Sequence, residues 1–146
     1  GDSTAVQDRL VDVQHIYSTM YGIDCAFAAV KHDGSVVTWG HAEYGGDSTA
    51  VQDQLVDIKH IYSTGRAFAA VRFDGSVVTW GYAEVGGDST AVQDQLTDVQ
   101  QIHSVNVGVF AAVKADRSVV TWGLSRYGGD SKAVQAQLTD IQHIYS

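Results

Sequence analysis

The sequence has no proline, one cysteine and no apolar run near the roughly 18 residues of a membrane span. Without proline, tight turns must be built by Gly, Asp, Asn or Ser. Cys25 has no second cysteine to pair with, which excludes an intrachain disulfide, and no partner signature beside it indicates a nucleophile. We therefore expect neither a disulfide scaffold nor a membrane-spanning protein.

Positive charge is also scarce, since nine Lys and Arg stand against seventeen Asp and Glu and the net charge is −8. Phosphate recognition needs clustered Lys and Arg, so we expect no nucleic acid and no membrane among the partners. The 146 residues, 45% hydrophobic and 18% charged, are typical of one globular domain with a core of its own.

Repetition is the most prominent feature of the chain. The phrase GDSTAVQD starts at residues 1, 46 and 87 and returns as GDSKAVQA at residue 129. A second phrase, DGSVVTWG, occupies 33–40 and 74–81 and returns as DRSVVTWG at 116–123. Self-similarity at this period indicates a tandem array. We predict a single repeat domain over 1–146, made of units 1–45, 46–86 and 87–128 and the half unit 129–146.

The first half of each unit predicts a short helix followed by an extended segment. In residues 46–63, Asp47, Ser48 or Thr49 can cap the helix, and Thr49 with Gln52 fits a capping box. Only about two turns are available, so tertiary packing must stabilise this helix.

The second half of each unit predicts a β-hairpin. In the second unit, two strand-like runs flank Asp74-Gly75, which fits a two-residue type I′ turn with positive φ at both residues. Such a turn would place Val71 opposite Val78. Alternation along the strand puts Val78 and Trp80 on one face, where we expect the repeated tryptophan to be a core residue.

Arg117 replaces the turn glycine in the third unit. A non-glycine residue at positive φ costs about 1 kcal/mol. We predict that this turn is the weakest of the three or adopts another type.

Together the two halves predict a mainly β protein with short helices, a tandem array of about 42-residue helix-plus-β-hairpin units. The chain holds four first halves but only three hairpins, whereas propellers typically close with four to eight blades. Three explanations stay open: an excerpt from a longer array, a propeller segment closed by oligomerisation, or an open solenoid. The end segments nearly repeat the internal ones and lack a polar cap, so we expect self-association.

The spacing of glycines, valines and tryptophans resembles the regulator of chromosome condensation repeat family over essentially the whole chain. The matching positions are Gly34, Val36, Trp39, Gly40, Gly45, Leu55, Ile58, Ile61, Ala69, Val71 and Gly75, with their equivalents one unit on. The resemblance implies β-propeller blades and a protein-binding platform.

Two stretches depart from the pattern of that family. GGDSTAVQDQL stands where the family has Gly-Gln-Leu-Gly and a proline-containing loop, and Ser63-Thr64-Gly65-Arg66 replaces its Gly-x-x-His. None of the exchange-factor residues of the family has a counterpart here, so the resemblance implies no activity.

The repeated polar residues indicate scaffold rather than catalysis. His15, His60 and His143 share one position and could form a column that binds metal, but we favour solvated strand residues, because metal ligands must converge on one point. Ser3 and its copies recur with the frame, unlike a nucleophile, and the aspartates fit no calcium motif. We expect no catalytic residue, no cofactor and no metal, and predict that the chain is not an enzyme.

Function in repeat proteins tends to lie at positions that differ between copies. Such positions precede each hairpin and follow each Trp-Gly, and aromatic residues and arginine are enriched at interaction hot spots. The candidate partner-binding residues are Tyr21, Tyr44, Arg66, Tyr82, Arg126 and Tyr127. The sequence therefore favours a non-enzymatic interaction module that binds a protein partner or itself, and we expect a homo-oligomer. The alternative is a purely structural or spacer segment of a larger surface or secreted protein.

Overall fold

The computed structural model describes residues 4–145. It contains three antiparallel sheets of three strands each, which follow one another along the chain and which we call blades 1 to 3. Their strands are β1 (Val13–Tyr21), β2 (Asp24–Lys31) and β3 (Val36–Gly40); β4 (Ile58–Ser63), β5 (Ala67–Arg72) and β6 (Val77–Gly81); β7 (Val99–Val105), β8 (Val109–Lys114) and β9 (Val119–Gly123). The three sheets do not close into a ring.

Short 3-10 helices connect the strands, so the expectation of a mainly β fold with short helices is confirmed. They span Thr4–Arg9, Ala42–Tyr44, Thr49–Gln54, Ala83–Val85, Thr90–Gln95, Ser125–Tyr127 and Gln135–Gln137. No helix in residues 4–145 is long and apolar enough to cross a membrane. The extended segment of each first half is a strand of the blade, so a unit supplies short 3-10 helices and a three-stranded sheet rather than a helix and a two-stranded hairpin. Ser3 lies outside the described residues.

The predicted capping box at Thr49 and Gln52 is wrong. The hydroxyl of Thr49 donates to Asp47 Oδ1 at 2.6 Å, and Gln52 is engaged elsewhere. Its Oε1 accepts from Ser48 Oγ at 2.9 Å, while its Nε2 donates to the Val36 carbonyl at 3.1 Å. These bonds tie the helix to the strand before it. A segment of six residues is too short for α-helical cooperativity, which explains the 3-10 form.

The hairpin turn is longer than predicted. Arg72 donates from its N–H to Ser76 O at 2.9 Å, and the Gly75 N–H donates to Arg72 O at 3.0 Å. This is a three-residue loop in which only Gly75, with φ of 81°, is left-handed. Val71 consequently faces Val77 rather than Val78, and the predicted register is wrong by one residue.

Serine completes this turn, because Asp74 Oδ1 accepts from both the N–H and the hydroxyl of Ser76 at 2.9 and 2.7 Å. The hydroxyl bond, above all, holds the pKa of Asp74 below its ordinary value. The third turn has the same backbone bonds even though Arg117 stands at φ 65°. The expectation of another turn type is therefore wrong there, while its being the weakest stays a prediction.

The predicted faces survive the register change, because alternation within a strand does not depend on the turn. We call the side of each blade that is turned toward the preceding blade its front face and the opposite side its back face. Val78 and Trp80 both lie on the front face of blade 2 and pack against blade 1.

Each interface between blades buries a continuous apolar core. Between blades 1 and 2 it comprises Ala26, Ala28, Val30 and Val36 from the back of blade 1 and Leu55, Ile58, Ile61, Phe68, Ala70, Val78 and Trp80 from the following unit. Between blades 2 and 3 the equivalent set is Ala67, Ala69, Val71, Val77, Val85, Leu96, Val99, Ile102, Phe110, Ala112, Val120 and Trp122. The first strands β1, β4 and β7 lie next to one another.

Polar bonds cross both interfaces at equivalent places. The indole Nε1 of Trp80 donates to Gly45 O, and that of Trp122 donates to Gly86 O, each at 3.1 Å. A Cβ on Gly45 would lie 2.5 Å from the Phe68 ring, so this position requires glycine. The interface between blades 1 and 2 is thus repeated between blades 2 and 3.

Candidate interaction surfaces

The front face of blade 1 carries the same side chains as the front faces of blades 2 and 3, but no blade covers it. Ile16 is 58% exposed, whereas its equivalents Ile61 and Ile102 are 1% and 2% exposed. This difference arises from position in the array, since the three residues occupy the same place on their strands.

The aromatic pair of this face is likewise open. Phe27 and Trp39 stack with ring centroids 5.2 Å apart and are only partly buried, whereas Phe68 and Phe110 are fully buried. Within the described part of the chain, the Trp39 indole donates no hydrogen bond of the kind that Trp80 makes.

The back face of blade 3 is the opposite end of the same arrangement. A Cβ on Gly128 would meet nothing within 4 Å, although the equivalent Gly45 is closed by a phenyl ring. Tyr127 is 51% exposed, while Val85 at the same position of blade 2 is 3% exposed. Tyr127 is therefore part of an end face.

Residues 138–144 cover only part of this back face. They leave an apolar groove of about 260 Å³ against blade 3. Its lining consists of Ala111, Val119, Thr121, Leu138, Ile141, His143 and Ile144. On blade 2 the equivalent space is filled by the hairpin of the next blade.

Four of the six candidate residues from the sequence meet at a loop edge. The guanidinium carbon of Arg66 lies 4.2 Å from the ring centroid of Tyr21, 4.8 Å from that of Tyr82 and 5.8 Å from that of Tyr44. Tyr21 and Tyr44 also contact each other edge to face at 6.3 Å. We call these four residues the Arg66 cluster.

Thr64, which is 1% exposed, fixes the backbone of the short loop that carries Arg66. The Thr64 hydroxyl donates to Val85 O at 3.2 Å and accepts from the Ala67 N–H at 3.1 Å. The Gly65 N–H donates to Asn106 O at 3.1 Å. The short loop that carries Arg66 is thus tied to blade 3 and to the 3-10 helix after Trp80.

Histidine and exposed apolar side chains border the Arg66 cluster. His41 stacks on Tyr44 with centroids 4.1 Å apart, and its Nδ1 is the one buried side-chain nitrogen or oxygen without a partner among residues 4–145. Ile23, in the turn after Tyr21, is 99% exposed, and Met20, on the opposite face of β1 from Tyr21, is 72% exposed. Nothing in the spacing of His41 in the sequence marks this contact.

Arg126 and Tyr127 form a separate pair, with the guanidinium carbon 4.8 Å from the ring centroid. No ring or cation contact within residues 4–145 joins this pair to the Arg66 cluster. The six candidate residues therefore lie at two separate places, four in the Arg66 cluster and two in the Arg126–Tyr127 pair.

In place of a histidine column, the first strands of blades 1 and 2 carry a ladder in which histidine and tyrosine alternate. Tyr17 Oη lies 3.2 Å from His60 Nδ1, and the two rings meet edge to face at 5.2 Å. Burial raises the pKa of Tyr17, and burial together with the nearby His15 lowers the pKa of His60. Residues 4–145 contain no group of three metal-ligating side chains placed to hold an ion.

Sequence reasoning missed a repeated aspartate in the left-handed region. Asp57 and Asp98 have φ of 54° and 55°, and the residues after them donate to the turn glycines of the preceding blade. The Ile58 N–H donates to Gly34 O at 3.1 Å. The signal in the sequence is a regular aspartate one residue before each first strand.

Comparison with known proteins gives the fold but no family. No family model matches the chain, and no curated protein matches it. Among solved structures it is similar to the crystal structure of human WBSCR16, with a TM-score of 0.52 and 22% identity. The match covers 78% of this chain and 35% of that chain, so this chain spans about a third of the length of its neighbour. The likeness supports a β-propeller-like fold, and membership of the family that the sequence resembles stays a prediction.

Proposed function

We propose that this chain is a non-enzymatic interaction module that associates head to tail, with the front face of blade 1 of one copy on the back face of blade 3 of another. The observation that carries the proposal is the end-to-end complementarity of the array. Ile16, Phe27 and Trp39 repeat side chains that are buried between blades, and Gly128 repeats the glycine that receives them.

The energetics favour covering these faces. Burying a large apolar side chain contributes about 1.5–3 kcal/mol, so three such residues offset a substantial part of the cost of association. The indole of Trp39 would gain an acceptor equivalent to Gly45, which Trp80 already uses. Each contact needed has a counterpart inside the chain.

In this arrangement, the C-terminal segment of one copy and the equivalent N-terminal segment of the incoming copy compete for the back face of blade 3. Residues 138–144 lie on the back face of blade 3, and residues 10–16 of an incoming copy would bring the equivalent side chains. Val13–Tyr21 is a strand paired with β2, whereas residues 141–145 form no strand. We infer that the C-terminal segment moves aside because it has fewer bonds to lose.

Such a contact is heterologous, since different surfaces of the two copies meet. Successive copies therefore form a ring where the rotation closes and an open filament where it does not. Closure of a ring would supply the blades that a single chain lacks.

Sedimentation velocity over a range of protein concentrations tests the proposal, with Ile16→Asp blocking the front face and Ala111→Arg blocking the back face. We expect each variant alone to be monomeric at concentrations where the unchanged chain associates. Phe73→Asp is the matched control, because Phe73 is 73% exposed on a turn away from both end faces.

Mixing the two variants gives the sharpest result. Each retains the face that the other has lost, so the mixture should form a dimer and stop there. Association of front face with front face would leave Ala111→Arg dimeric on its own, which would overturn the head-to-tail arrangement. A folded chain that is monomeric at every concentration would favour the alternative of a structural or spacer segment.

A further inference from the structure

A guanidinium can bind through its flat face or through its in-plane N–H groups, and the Arg66 cluster uses only the flat face. Tyrosine rings contact a guanidinium through its flat face, which leaves the N–H groups free in the plane. Within residues 4–145, the Arg66 side chain makes no hydrogen bond and no salt bridge. A half-buried cation is therefore held in place with its donors unused.

Two other arginines of the chain do find acceptors. Arg117 Nη1 lies 2.9 Å from Asp140 Oδ1, and Arg72 Nε donates to Gln54 O at 2.9 Å. Carboxylates outnumber cations by seventeen to nine, so an acidic neighbour would be easy to supply. The Arg66 cluster has none in contact, and three tyrosine rings surround the charge instead.

The cluster is also rigid, which reduces the entropy lost on binding. The Thr64 and Gly65 bonds fix the loop, and the Tyr82 N–H donates to Arg66 O at 2.9 Å. Tyr44 and Tyr82 pack in addition against the cores between the blades. Tyr21, at 55% exposure, is the last residue of β1 and is paired with Asp24 of β2.

We propose that the Arg66 cluster binds a carboxylate side chain of a protein partner, with the guanidinium donating two parallel hydrogen bonds to it. A planar carboxylate matches the in-plane N–H groups of arginine. One cation in a chain of net charge −8 is unsuited to a polyanion, whose binding depends on several.

The surroundings define the partner segment further. Ile23, in the turn that follows Tyr21, presents exposed apolar surface, so the segment carries an apolar residue next to its acidic one. Head-to-tail association uses the front face of blade 1 and the back face of blade 3, and the Arg66 cluster belongs to neither face. This inference is therefore independent of head-to-tail assembly.

A pair of blocked pentapeptides tests the assignment: one has a central glutamate between two leucines, and the other has glutamine in its place. The readouts are the ¹⁵N-edited NMR signal of Arg66 Nε and the ring protons of Tyr21 and Tyr82. We expect the glutamate peptide to shift these signals and to bind about tenfold more tightly than the glutamine peptide. Its affinity should fall as salt is raised.

Variants separate charge from geometry. Arg66→Gln should abolish the preference for glutamate, and Arg66→Lys should keep a weaker preference because it retains the charge without the bidentate edge. Arg126→Gln is the matched control and should leave binding unchanged. Near-ultraviolet circular dichroism would verify that each variant is folded.

Three results would overturn the proposal. The first is equal binding of the two peptides, and the second is a glutamate preference that survives Arg66→Gln in a folded protein. The third is a shift of the Arg66 signal by inorganic phosphate without any shift by the glutamate peptide, which would assign the cluster to phosphate.

Discussion

The indole Nε1 of Trp80 donates to the carbonyl oxygen of Gly45 at 3.1 Å, across the boundary between blade 2 and blade 1. Gly45 is buried, and its missing side chain leaves the room that the Phe68 ring occupies. A tryptophan from one unit and a glycine from the unit before it thus form one joint. The same joint recurs between blades 2 and 3. Trp39 of blade 1 and Gly128 of the third unit are the equivalent tryptophan and glycine that have no such joint within residues 4–145.

Trp80→Phe should destabilise the protein by about 1–3 kcal/mol, because it leaves a buried carbonyl without a donor and opens space in the core. Trp39→Phe is the matched control, since the Trp39 indole lies on the open front face. Urea unfolding of both variants at low protein concentration measures the difference. Equal losses in free energy of unfolding would show that the Gly45 bond contributes nothing.

Gln52→Leu should cost about 1–2 kcal/mol, because it removes the donor to the carbonyl of Val36, a residue that is 1% exposed. Gln54→Leu, on the exposed part of the same helix, should change the free energy of unfolding by less than about 0.5 kcal/mol. In a double-mutant cycle, Ser48→Ala should couple to Gln52→Leu, since their side chains bond to each other. Strict additivity would contradict a shared network.

His60→Gln should flatten the pH dependence of stability. The native pKa of His60 is lowered, chiefly by burial, so the folded state resists protonation more than the unfolded state does. Its contribution is therefore complete above the unfolded pKa of about 6.5 and is lost as the pH falls below that value. Glutamine already stands at the equivalent position 101.

Urea unfolding at about pH 7.5, 6.5 and 5.5 compares the two chains, with the free energies referred to the value at the highest pH. The variant should lose less stability toward acid pH than the unchanged chain. Identical slopes would show that other groups carry the acid sensitivity in this window.

Arg117→Gly should stabilise the chain by about 0.5 kcal/mol, since it removes roughly 1 kcal/mol of left-handed strain and loses only an exposed ion pair. The reciprocal change, Gly75→Arg, should destabilise by more than about 1 kcal/mol, because a Cβ there would lie 2.9 Å from the Asp98 Cα. Thermal unfolding measures both. A loss of stability in Arg117→Gly would give the pair with Asp140 a larger weight than its exposure suggests.

The sequence predicted the repeat, the hairpins and the faces of their strands. Such features depend on local chemistry: a glycine after aspartate favours a turn, and alternation decides which side chains share a face. The turn length was wrong by one residue because Asp-Gly fits both a two-residue loop and the last two positions of a three-residue loop. The hydroxyl of Ser76 and the register of the sheet select the longer one.

The candidate site could be predicted only as a class of positions. Tyr21, Tyr44, Arg66 and Tyr82 were chosen because they vary between units, and their meeting at one edge depends on how three blades lie side by side. Tyr127 was placed in the same class, but the end of the array leaves it on an open face. His41 carried no signal, since ring stacking between neighbours in a loop follows from backbone angles.

By itself, the sequence determined that equivalent side chains recur at equivalent places, because a repeat copies local preferences along with residues. Only the tertiary structure decided which copies are buried. Ile61 and Ile102 lie between blades and Ile16 does not, although all three are the same residue in the same strand position. Burial depends on a neighbour that the chain places beside blades 2 and 3 and not in front of blade 1, and that difference exposes the surfaces proposed here for association.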